Sequence, residues 1–192
     1  MEVYEHDPDL REAFSYAGRG SFDDSLLDEI EQHTFTVYVI ADVKGYKGLK
    51  EVLDVGEALL KAGGMAVKIE ISGIAHTRDE WLELVQNQDY FPIYSSFVTL
   101  LGDDECYYSC GMKAFGLRDV ITPSSLSPED AAELINNFNL YSLVEKVTFN
   151  SGETFSLGES SPLCKVELID DYKYEEDDIF FNPFGLVALV AV

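Results

Sequence analysis

The chain has 192 residues, 36 acidic against 13 basic, for a formal net charge of −23. That balance argues against nucleic acid and anionic membranes as partners, because phosphate surfaces are gripped by clustered Lys and Arg. Disorder is excluded too, since 46% of the residues are hydrophobic and 12% aromatic, enough to build a core.

The first 34 residues carry a net −8, residues 35–75 are neutral, and residues 151–192 carry −7. Residues 1–20 mix acids with Tyr and Gly and read as an arm with little regular structure. A short helix follows, capped by Ser21 or Asp24, with Leu26, Leu27 and Ile30 on one face. These segments form an acidic arm over 1–34, followed by a single α+β domain over 35–192.

Thr34–Ala41 is dense in β-branched and aromatic residues and reads as a central strand. A loop, 42–48, precedes a helix over about 49–62, which Gly63 and Gly64 end. Met65–Ser72 alternates in polarity, as a half-solvated strand does. Thr77 and Glu80 then have the spacing of a capping box for a helix carrying Trp81, Leu82, Leu84 and Val85.

Tyr94–Leu101 and Cys106–Cys110 predict a hairpin around the turn Gly102–Glu105. Asp119–Thr122 adds a short strand. Ser127 followed by Pro128, Glu129 and Asp130 marks a helix start, and Ala131, Leu134, Ile135 and Phe138 form its apolar face through to Val144. Val147–Leu157 predicts a second hairpin, Cys164–Ile169 a strand, Asp170–Asp178 an acidic loop, and Gly185–Val192 a buried strand. The order β-α-β-α-β-β-α-β-β-β describes an α+β fold, a mixed or antiparallel sheet with helices on one face.

Candidate sites are sparse. Cys106 and Cys110, four apart in a strand, share a face about 13 Å apart, too far for a disulfide. No metal-ligand spacing and no cofactor motif appears, and no catalytic residue is assigned. Lys44, Gly45, Lys47 and Gly48, between a strand and a helix, could hold a phosphate or carboxylate on helix amides. Tyr90, Phe91 and Tyr94, with Phe181 and Phe184, place large rings in Pro-containing loops and form a candidate partner surface. The longest apolar run, eight residues, is too short for a membrane-spanning helix, and the chain reads as cytoplasmic.

The runs Ala58–Gly64, Tyr107–Leu117, Ser127–Leu134 and Phe180–Gly185 together resemble a bacterial family, domain of unknown function DUF4261. The resemblance covers residues from about 35 onward and implies an α+β domain, with no activity or site residues attached. The reading that fits acidity with an ordinary core is a non-enzymatic interaction domain for a basic protein, for example an immunity or inhibitor protein. The alternative is a binder or enzyme for a small anionic ligand at 44–48. Self-association through the terminal apolar strand or the aromatic loops is a third reading.

Overall fold

The structure, a computed structural model, describes residues 1–41, 43, 45–87, 89–158 and 161–192. The chain separates into two compact units, Met1–Ser96 and Phe97–Val192. The boundary read at 34/35 falls inside the first unit, between two strands that pair with each other.

Those strands are β1 (Glu2–Glu5) and β2 (Phe35–Tyr38), antiparallel, with Val3 opposite Val37. The first 20 residues are therefore structured, in β1 and α1 (Leu10–Ala17). Phe14 and Ala17 of α1 pack with Phe22 and with Leu27 and Ile30 of α2 (Asp24–Glu31). Neither proposed cap is used: Asp23 caps α2, its carboxylate accepting from the Leu26 amide at 2.8 Å. Thr34–Ala41 is likewise not a central strand. Among the described residues its regular part is four residues in a two-stranded ribbon, with Phe35 and Ile40 exposed.

Helix α3 (Gly45–Lys61) buries Leu49, Leu53 and Leu60. The segment 65–72 splits differently from expectation. It forms β3 (Ala66–Ile69), a turn at Gly73 with φ +66°, and β4 (Ile74–Thr77) returning antiparallel. A left-handed φ of that kind costs glycine nothing. Helix α4 (Arg78–Gln86) opens with the complete capping box, Thr77 and Glu80 bonding each other's backbone. Its Trp81 lies against α3, where the indole Nε1–H donates to Leu53 O at 3.2 Å. Helix α5 (Tyr90–Phe97) stands where a strand was read, with Pro92 tolerated in its first turn.

The second unit is built on a six-stranded mixed sheet. Its strands are β5 (Thr99–Gly102), β6 (Cys106–Cys110), β7 (Asp119–Pro123), β8 (Thr154–Phe155), β9 (Cys164–Ile169) and β10 (Leu186–Ala191), in the order β5-β6-β7-β10-β9-β8. The apolar run of β10 suits its central place, parallel to β7 and antiparallel to β9. Helix α6 (Pro128–Glu145) covers one face, its Leu134, Ile135 and Phe138 packing with Val120, Val166, Val187 and Leu189. This is the α+β class, with a helix on one face of a mixed sheet. The hairpin read over 147–157 is absent, because β8 pairs with β9 instead. On the opposite face Cys106, Ile121 and Leu186 form a smaller cluster with Tyr108, Ile169 and Ala188. A loop over 170–185 is pinned to the residues of that face.

Candidate functional site

The turn between β5 and β6 carries Asp103, Asp104 and Glu105, all exposed. Asp103 Oδ1 accepts the Glu105 and Cys106 amides, each at 2.9 Å, which fixes the turn locally. Its Oδ2 takes Lys173 Nζ at 2.5 Å. Lys173 also donates to Cys106 Sγ at 3.2 Å and lies 5.0 Å from the centre of the Tyr108 ring. The Lys173 ammonium, helped by the two amides, holds the Asp103 carboxyl far below the usual carboxylate range, and Asp103 in turn raises Lys173. One lysine thus clamps the acidic loop to the acidic turn. Asp104 and Glu105 join the exposed Asp170, Glu175, Glu176, Asp177 and Asp178 on this part of the unit.

The loop is held at further points. Tyr108 and Tyr174 hydroxyls are 3.1 Å apart. Lys113 Nζ donates to Phe181 O at 2.9 Å and to Ile179 O. Asp171 Oδ1 accepts the Lys173 amide and Oδ2 the Asn182 amide, both at 2.9 Å. Where the loop enters β10, Gly185 has φ +85°, and a Cβ there would stand 2.4 Å from Ile169 O. Arg118 Nη1 donates to that same carbonyl at 3.0 Å.

Beneath the loop is a buried polar centre. Asp119 is 2% exposed and Asn182 1%. Asn182 Nδ2 donates to Asp119 Oδ2 at 2.6 Å and to Leu117 O at 3.1 Å. Asp119 Oδ1 accepts Ser109 Oγ at 3.0 Å and the Met112 amide at 3.1 Å. Burial pushes its carboxyl up to about 6, against the pull of these donors. Asn182 joins the loop to Leu117 and Asp119, while Ser109 and Met112 hold Asp119 in place, so the centre is a staple.

The thiols are poor nucleophiles. Burial pushes Cys110 up to about 12, with Asp119 adding to the effect, and burial raises Cys106 and Cys164 as well. A protonated thiol lacks the reactivity of a thiolate. Among the described residues no group of three or more His, Cys, Asp or Glu is placed to hold a metal ion. None of their helices is long and apolar enough to cross a membrane.

The residues singled out from sequence are dispersed. Lys44 lies outside the described residues. Gly45, Lys47 and Gly48 belong to the first turn of α3, so the loop before that helix is shorter than expected. Tyr90 packs on Tyr46 with ring centres 4.8 Å apart, and Phe91 is 59% exposed. Tyr94 corrects the aromatic surface. It is 2% exposed, because the helix α5 turns it inward with Ile93, and it is not available to a partner. Phe184 is exposed and Phe181 half-buried, both on the clamped loop.

Lys113, Lys173, Asp119 and Asn182 were not singled out. A signal existed for the lysines: between Arg78 and Lys146 the chain has only Lys113 and Arg118 as bases, and after Lys165 only Lys173.

Residues 108–187 match the family model described as domain of unknown function (DUF4261). This is the family that the sequence resembles. The matched stretch runs from within β6 to the start of β10, and so contains α6, the Asp119–Asn182 staple and the clamped loop. Three of the four resembling runs fall in or across it; Ala58–Gly64 lies outside, so the match is narrower than the resemblance implied. No curated protein and no solved structure matches the chain.

Proposed function

We propose that the protein is a non-enzymatic interaction domain that binds a basic protein through the acidic part of its second unit. An immunity or inhibitor protein against a cationic toxin is the concrete form of that role. The observation that carries the reading is the joining of the 103–105 turn to the 170–178 loop by Lys173, a cation already neutralised by Asp103. Lys113, Arg118 and Lys165 are also spent on internal partners. Lys113 and Arg118 keep their charge on those neutral carbonyls, but the exposed carboxylates of the turn and the loop outnumber them, and complementary charge speeds association more than it deepens affinity.

Such a field is screened over about 10 Å at 0.1 M salt and about 3 Å at 1 M. A pulldown from the native host at low and high salt, with the wild type and a variant combining Glu175→Gln, Glu176→Gln, Asp177→Asn and Asp178→Asn, tests the proposal. A basic protein retained by the wild type at low salt, and lost at high salt and with the variant, is the expected result. Recovery of no basic protein, or equal recovery by the variant, refutes it.

A further inference from the structure

Two stacked histidines in the first unit, with ring centres 4.6 Å apart, use their nitrogens differently. His33 is 7% exposed. Its Nδ1 bonds Ile30 O at 2.7 Å, and its Nε2 receives the Asp7 backbone N–H at 3.1 Å. A carbonyl can only accept and an amide can only donate, so the ring is neutral with its proton on Nδ1. His6 bonds Glu31 O through Nε2 at 3.0 Å, a bond that survives protonation of its other nitrogen. Only His33 must lose a hydrogen bond when it gains a proton.

That bond is placed two residues beyond β1, where the chain leaves the ribbon. A two-stranded ribbon is marginal by itself, so each tether counts. We propose that His33 is a pH-sensitive latch on the first strand: the neutral ring holds the Asp7 amide at the end of α2, and the imidazolium releases it. Charged groups lie around the ring. Asp7 lies on the strand side, Glu31 at the end of α2, and Asp28 and Glu29 line the same shallow groove as His33. The carbonyls at the C-terminus of α2 lie beside it, Ile30 O among them. Arg11 of α1 is bonded to Asp28 at 3.1 Å and lies 3.7 Å from Glu31, and His6 stacks on the ring. The released amide adjoins the end of β1, which pairs with β2 along Phe35–Tyr38.

Amide exchange followed by NMR from about pH 8 to about pH 5, the range in which imidazoles take up a proton, tests the latch. After correction for intrinsic rates, Asp7 protection falls roughly fivefold to tenfold in the wild type, the equivalent of one ordinary hydrogen bond. In His33→Gln, whose side-chain oxygen accepts at every pH, protection stays constant. Constant protection in the wild type, or the same fall in His33→Gln, overturns the proposal. Ring nitrogen shifts at pH 8 give a second reading on the unaltered protein: an Nδ1–H tautomer at His33 is required, and an Nε2–H tautomer overturns the latch.

Discussion

Asp119 is the most consequential single residue of the second unit. Its carboxylate answers Ser109, Met112 and Asn182 from inside the fold, and truncation leaves those donors buried without an acceptor. Asp119→Ala should cost about 3 kcal/mol in urea unfolding at pH 7. The pH dependence has a definite sign. The folded carboxyl titrates near 6, above its unfolded value of about 3.9. The native state therefore holds this proton more tightly, and the stability this confers is full below pH ~4 and lost as pH rises through ~6. Relative to Asp119→Asn, which has no proton to lose, the wild type should lose about 3 kcal/mol between pH ~4 and pH ~7. An equal slope in both proteins would sink the assignment. Gly56 makes a different point. It is in the middle of α3, where alanine is the better helix former, yet a Cβ there would stand 2.6 Å from Trp81 Nε1. Gly56→Ala should destabilise the protein by about 1–3 kcal/mol, as overpacking does. A rise in melting temperature would contradict that close approach.

Among the elements, the helices whose ends carry their own chemistry behave as their residues dictate. Thr77 and Glu80 close the capping box of α4, and Ser127 caps α6 through the Asp130 amide at 3.1 Å. Thr77→Ala should cost about 1 kcal/mol, measured by thermal unfolding, with Thr77→Ser recovering most of it. The loop 170–185 is an element of another kind, shaped by contacts with distant residues. Lys173→Met keeps the length of the side chain but loses the bonds to Asp103 and Cys106. It should raise amide exchange across the loop and leave the α6 amides unchanged. The elements that eluded the sequence are short. β1, β4 and α5 span four, four and eight residues, too few for one periodicity to outweigh another. Tyr90–Phe97 shows the ambiguity well, because its rings suit a strand as readily as a buried helix.

At the scale of the molecule, the acidity is shared almost evenly. The first unit has 19 acids and 8 bases, and the second 17 and 5. Four of the five bases in the second unit are held by partners within it. That unit contains a whole sheet, its covering helix and the stretch that matches the DUF4261 model. Residues 97–192 expressed alone should therefore unfold in one cooperative urea transition, and a broad, non-cooperative loss of signal would refute this.

The sequence by itself determined the class of fold, the N-terminal caps of α4 and α6, the extent of α6, and the strands β6, β9 and β10. Each of these is written in contiguous residues, as a period of 2 or 3.6, a cap or an unbroken apolar run. The tertiary structure alone decided that β1 pairs with β2, that β10 enters the sheet beside β7, and that Lys173 reaches Asp103 from 70 residues away. The meeting of Asp119 with Asn182, 63 residues apart, is of the same kind. Local periodicity is silent about such pairs, because they form only when the sheet brings distant strands to one face. The candidate acidic face depends on one of them, Lys173 with Asp103, so composition foretold its charge but not its place.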